Sequence, residues 1–120
     1  MNDNKPIYQQ IMEIIEDDIL NDTYKVDSII ISTTQISKVF SVNPTTAIKA
    51  VSTLTDKGIL YKKRGIGMAV TPEAKEIILF ERKNLFFNHQ LQEFISTANK
   101  LGIDKKQLAD LILKSNFKES

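Results

Sequence analysis

Three short stretches hold the residues whose types and spacing could do chemistry. The first runs Asn43-Pro44-Thr45-Thr46-Ala47-Ile48-Lys49. Asn is a good helix N-cap and Pro suits the first helical position, so a helix is expected to begin here. The free N–H groups of a helix start attract an anion. Thr45 and Thr46 add two hydroxyl donors on the first turn. Lys49 follows one turn later on the same face, with reach to a phosphate or a guanine edge. The second stretch is Lys62-Lys63-Arg64-Gly65-Ile66-Gly67. It sets three cations beside two glycines, which permit a sharp turn and close approach to a nucleic-acid backbone. The third, Ser32-Thr33-Thr34-Gln35, has capping-box spacing and opens another short helix. The first two stretches suit an anion, the third a helix start, and none carries a motif for making or breaking a bond.

The rest of the composition agrees with a binding role. There is no Cys, which excludes a disulfide, a thiolate metal site or a thiol nucleophile. His89 is the single His, so any nucleophile–base pair would have to use it, and it reads as a helix-surface residue. No phosphate-loop or metal-ligand motif is present. The expectation is a non-enzyme without cofactor or protein-bound metal. No run of 18 apolar residues occurs, and the N-terminus lacks a basic region followed by an apolar core, so a cytoplasmic protein without a membrane span is expected.

Net charge over the 120 residues is only +1, but it is unevenly spread. Residues 1–31 carry Lys5 and Lys25 against seven acids. Residues 32–71 carry Lys38, Lys49, Lys57, Lys62, Lys63 and Arg64 against Asp56 alone. A basic middle behind an acidic start is a face suited to an anion.

These residues need elements to hold them. Pro6 suits a first helical turn, with Asp3 or Asn4 ahead of it as a cap. Ile7, Ile11, Ile14, Ile15 and Ile19 then form a helical stripe, with Glu13, Glu16, Asp17 and Asp18 mostly off it. Tyr24 to Asp27 reads as a loop and Ile29-Ile30-Ile31 as a brief strand. The helix after Ser32 should turn Ile36, Val39 and Phe40 inward, and Ser41-Val42 should be a tight turn. The helix from Asn43 should bury Ala47, Val51 and Leu54 and end at Lys57, with Gly58 in the left-handed conformation. Ile59 to Lys63 and Met68 to Thr71 read as two strands around the basic tip.

After Thr71-Pro72 a long helix is expected from Glu73. Its apolar positions are Ile77, Phe80, Phe87, Leu91, Phe94, Ala98 and Leu101, and with Asn84 included their spacing alternates three and four. That is a heptad seam. Leu101-Gly102 closes it. Asp104 to Gln107 caps a last helix with Leu108, Leu111 and Ile112 apolar. So many aromatics exceed what one helix of a short tail can bury. A homodimer is therefore expected, joined through Ile77, Phe80, Asn84, Phe87, Leu91, Phe94, Leu101, Leu108, Leu111 and Ile112, with Asn84 able to set register.

The segments IYQQIMEIIEDDIL and STTQISKVFSVNPTTAIKAVSTLTDKGILYKKRGIGMAV resemble the winged helix-turn-helix of the GntR family of bacterial transcription regulators. VNPTTAIKAVSTL followed by KGILYKKRGIGMAV is the most specific part. LQEFISTANKLGIDKKQLADLI resembles the two-helix tail of the YtrA-like subfamily. The resemblance implies a mainly α fold: a winged helix-turn-helix over 5–72, with three helices and a small hairpin wing, then a two-helix dimerisation region over 73–120. It implies a homodimeric, sequence-specific DNA-binding regulator, read as a repressor, on an inverted-repeat operator in double-stranded DNA. A small-molecule effector would have to bind between subunits, since the tail is too short for an enclosed domain.

The resemblance implies DNA contacts by Ser32, Thr45, Thr46, Lys49, Arg64, Gly65 and Gly67, and with the residues read above the expected set adds Thr34, Asn43, Lys62 and Lys63. Thr34 stands where the family usually has Arg, and Lys49 where Arg is frequent. Ser41 replaces a common turn Gly, Val26-Asp27 the usual Pro-Gly, and Ile30-Ile31 the usual Leu-Pro. The missing Arg keeps one alternative open: a winged helix that binds a protein partner, with weak or no specific DNA binding.

Overall fold

The computed structural model describes residues 4–118. They fall into two compact units, divided between Glu81 and Arg82. The first contains helix α1 (Ile7–Leu20), helix α2 (Thr33–Val39), helix α3 (Pro44–Asp56) and the antiparallel hairpin β1 (Leu60–Lys63) and β2 (Gly67–Val70). Helix α4 (Ala74–Leu85) begins in this unit. The second unit holds a π-helical turn (Phe86–Gln90), α5 (Leu91–Lys100) and α6 (Lys105–Leu113). The architecture is mainly α with one two-stranded sheet, as the sequence implies.

Each start and stop has a local cause. Pro6 precedes α1 without a side-chain cap bond; of the two caps considered for it, Asp3 lies outside the described residues. Ser32 caps α2 through a reciprocal box: its hydroxyl accepts from the Gln35 N–H at 3.1 Å, and its own N–H donates to the Gln35 side chain at 2.9 Å. Asn43 takes the cap position of α3 in extended conformation, but its side chain makes no cap bond. Pro44 sets the first turn instead. Helix α3 closes in a Schellman motif: Gly58 at φ +85° donates to the Thr55 carbonyl and Ile59 to that of Leu54.

The first unit has one core. Ile11, Ile15 and Ile19 of α1, Ile36 of α2 and Ala47, Ala50, Val51 and Leu54 of α3 meet Ile59, Leu60 and Val70 from the hairpin. Each large apolar side chain buried here contributes about 1.5–3 kcal/mol. The hairpin register pairs Leu60 with Val70 and Lys63 with Gly67. Thr71 fastens its base, donating through its hydroxyl to the Gly58 carbonyl at 2.6 Å and through its N–H to Ile59.

Several expected positions move. Val39, expected inside, is 68% exposed, since α2 is too short to bury a second turn beyond Ile36, and Phe40 is only half-buried. Glu16, placed with the acids mostly off the apolar stripe of α1, is buried. Ile29 to Ile31 contribute only one bridge, Ile29 to Ala69, because Ile31 already turns toward the Tyr24 hydroxyl and α2 starts two residues later. The core also reaches past Pro72, for Ala74 and Ile78 of α4 are buried in it. Ile77, expected on the tail seam, packs against this core beside Gly58. The expected single helix from Glu73 is helical throughout, but the Leu91 N–H reaches back five residues to the Phe86 carbonyl, which breaks the heptad phase.

Two sites put the backbone accounting to the test. Ser41 sits at φ +53°, where an L side chain costs about 1–2 kcal/mol. Ser41→Gly should stabilise the fold by about 0.5 kcal/mol after the added freedom of the unfolded chain, read by urea unfolding. Gly67 lies at φ +153°, and a Cβ there would stand 3.1 Å from Ile29 Cγ2. Gly67→Ala should cost about 1–3 kcal/mol in the same assay.

Candidate nucleic-acid interface

Packing of α3 against α1, α2 and β1 leaves its opposite side in water. Asn43, Thr45 and Lys49 are exposed there, with Thr46 half-buried beside them. Ser32 and Thr34 are exposed at the start of α2. Their hydroxyls and the free N–H groups at the two helix starts form a donor-rich surface. The cap bond uses the Ser32 hydroxyl as an acceptor, so its proton remains available to donate.

Thr45, Thr46 and Lys49 line one open groove of about 320 Å³ together with Pro6, Ile7 and Tyr8. The Lys49 ammonium stands 4.2 Å from the centroid of the Tyr8 ring, a cation–π contact. Ile7, expected in the α1 core stripe, is 48% exposed on this groove instead. Sequence reasoning missed Tyr8. Its signal was an aromatic just off the stripe at a helix start, but nothing in the sequence links it to Lys49, forty-one positions later.

The wing tip is built by two glycines at positive φ, Gly65 at +76° and Gly67 at +153°. Ile66 donates its N–H to the Lys63 carbonyl at 2.9 Å to close the turn. Lys62 and Arg64 are exposed and Lys63 is half-buried. Ile66, at the tip between the glycines, is also exposed. The structure thus gathers Thr45, Thr46 and Lys49 in one groove, and gathers Lys62, Lys63, Arg64, Gly65 and Gly67 on the hairpin; Ser32 and Thr34 occupy a third place, the start of α2. Among the described residues, Lys49, Lys62, Lys63 and Arg64 form no ion pair with a carboxylate, whereas Lys57 and Lys75 are paired with Glu81 and Asp22. The cations of the groove and wing are therefore not neutralised by a carboxylate among the described residues.

No family model matches the chain. A GntR family transcriptional regulator from Listeria monocytogenes is 31% identical, with 97% of this chain and 100% of that one covered and a TM-score of 0.70. The chain belongs to the GntR family of transcriptional regulators. A GntR-family structure from Bacteroides thetaiotaomicron is also 31% identical, over 91% of this chain and 95% of that one, with a TM-score of 0.75. Among curated relatives, the HTH-type transcriptional repressor YtrA of Bacillus subtilis is 28% identical over 107 residues, covering 89% of this chain and 82% of the relative. The GntR-family chain is thus YtrA-like along most of its length. Among the described residues there is no His, Cys, Asp and Glu group able to hold a metal ion, and no helix long and apolar enough to cross a membrane.

The wing base carries one titratable marker. The Tyr61 hydroxyl of β1 donates to the Asp27 carboxylate at 2.8 Å, and this bond raises the phenol above its usual ionisation range. A raised folded pKa means the contribution is intact below about pH 10 and is lost as pH rises through the folded value. Ultraviolet titration of Asp27→Asn should show Tyr61 ionising at lower pH than in the wild type. An unchanged titration would mean that the bond does not form in solution.

Proposed function

We propose that this GntR-family regulator binds double-stranded DNA as a homodimer at an inverted repeat and represses transcription there. The observation that carries the reading is the open groove at the start of α3, lined by the Thr45 and Thr46 hydroxyls and by Lys49, whose ammonium no carboxylate among the described residues neutralises. A helix presented this way fits the major groove with its first turns toward the base edges. Asn43, Thr45, Thr46 and Lys49 would read or grip the DNA at that helix. Lys62, Lys63 and Arg64 would clamp phosphates while Gly65 and Gly67 let the wing approach closely. Ser32 and Thr34 would donate to the backbone. Thr34 cannot supply the charge of the family's usual Arg, so the wing and Lys49 carry more of the phosphate binding.

The tail supports the dimer. Among the described residues from Arg82 onward only Ala98 is buried. Phe87 is 54% exposed and Phe94 51%, and Leu85, Phe86, Ile95, Leu101, Leu111, Ile112, Leu113 and Phe117 are exposed as well. An apolar surface of this extent marks an interface. A second copy of the chain covers it in this reading, through Phe87, Leu91, Phe94, Leu101, Leu108, Leu111 and Ile112, with Phe80 and Asn84 flanking. The two-fold axis of such a pair requires two inverted half-sites. The tail as a dimerisation region leaves the winged unit free to act as the DNA-binding domain, in a regulator working in the cytoplasm.

Selection of bound duplexes from a random pool should enrich an inverted repeat, and Lys49→Ala should reduce the enrichment. If Lys49, Lys62, Lys63 and Arg64 of both protomers engage phosphates, affinity should fall about a thousandfold or more between 50 and 200 mM salt. Binding flat in salt would exclude the phosphate clamp. Sedimentation should give a dimer for the wild type and a monomer for Phe94→Glu. A folded dimer that enriches no duplex would favour the protein-binding alternative, for which Thr34 in place of Arg is the supporting observation.

A further inference from the structure

We propose that Tyr8 is a positioning residue for DNA readout, holding the Lys49 ammonium in the recognition groove before DNA arrives. The proposal rests on the DNA-binding reading above and adds a residue outside the helix-turn-helix and the wing.

The geometry sets out the division of labour. Tyr8 lies on the first turn of α1, and its ring is partly buried against the core of the first unit, so it is fixed from behind. Its hydroxyl accepts from the exposed Gln9 amide at 3.3 Å. Its ring face meets the Lys49 ammonium at 4.2 Å. Thr45 and Thr46 line the same groove. Lys is a flexible point charge on a four-carbon stem, whereas Arg has a rigid planar fork. A Lys at a recognition position therefore loses much rotamer freedom when it engages DNA. An aromatic platform beside it removes part of that freedom in advance, and contact with a ring face leaves ammonium N–H groups free to donate elsewhere. Lys49 has no carboxylate partner among the described residues, so the ring is what restrains it.

The test has two arms. In the DNA-free protein, proton–carbon spectra should show the Lys49 ε-methylene shifted upfield by the ring current. The shift should persist in Tyr8→Phe and vanish in Tyr8→Leu. Absence of the shift in the wild type overturns the proposal whether or not the protein binds DNA. In the second arm, fluorescence anisotropy measures affinity for the duplex selected by the wild type, with thermal unfolding confirming that each variant is folded. Tyr8→Leu should weaken binding about two- to fivefold, the worth of an exposed cation–π contact. Tyr8→Phe should restore it to within about twofold, since the ring and not the hydroxyl is invoked. In a Lys49→Ala background, Tyr8→Leu should change nothing further. Equal loss in both backgrounds would show that Tyr8 acts independently of Lys49 and would overturn the proposal. If the wild type binds no duplex while the upfield shift is present, the DNA-binding reading fails instead, and the positioning role falls with it.

Discussion

The structure depends most on the inner face of α3. Ala47, Ala50 and Leu54 are wholly inaccessible and Val51 nearly so. Two alanines on that face let neighbouring elements approach closely, and α1, α2 and β1 all pack against the same helix. Once this face is fixed, the outer face has no freedom: Thr45, Lys49 and Ser52 must look into solvent. One helix therefore serves as the centre of the core and as the exposed reading surface, and its rotation about its own axis cannot change without unpacking three partners.

What was legible in the sequence was local. The Ser32–Gln35 box, the Pro44 start, the Gly58 stop and the hairpin around Gly65 and Gly67 each involve residues within a few positions of one another. The hydrogen-bond rules for those motifs fix geometry without knowledge of the remaining fold. What was not legible depended on which surface a neighbour happened to cover. Periodicity marks an apolar face, but it does not say how wide the covered part is. Val39 therefore came out exposed and Ile7 opened onto the groove, while Ile77 and Glu16 went inward. The Tyr8–Lys49 contact is the extreme case, since its two halves are far apart in the chain and neither has an unusual neighbourhood in sequence.

Backbone strain shows where this chain departs from its family's habits. Asp27 and Ser41 stand where the resemblance leads one to expect glycine, and both adopt positive φ, at 67° and 53°. The fold keeps the turn geometry and lets the side chain bear the cost. At Asp27 the side chain gives something in return, accepting from Tyr61 across to the wing. At Ser41 no side-chain bond does so. The turn is held by its surroundings instead, with the Ser37 hydroxyl donating to the Val42 carbonyl at 2.6 Å and the Val42 N–H donating to the Ser37 carbonyl.

The π-helical turn at Phe86–Gln90 has a different kind of consequence. A wide turn accommodates one residue more than an α-turn without interrupting the helix, and the Gln92 side chain donates to the Phe87 carbonyl within it. Each residue advances an α-helix by about 100°, so every side chain after the turn is rotated by roughly that amount from where an unbroken heptad would put it. The segment is thus a length buffer. One residue more or fewer there changes a single turn and leaves the hydrogen-bond ladders of both flanking helices in place, so the face presented from Leu91 onward is set by this turn.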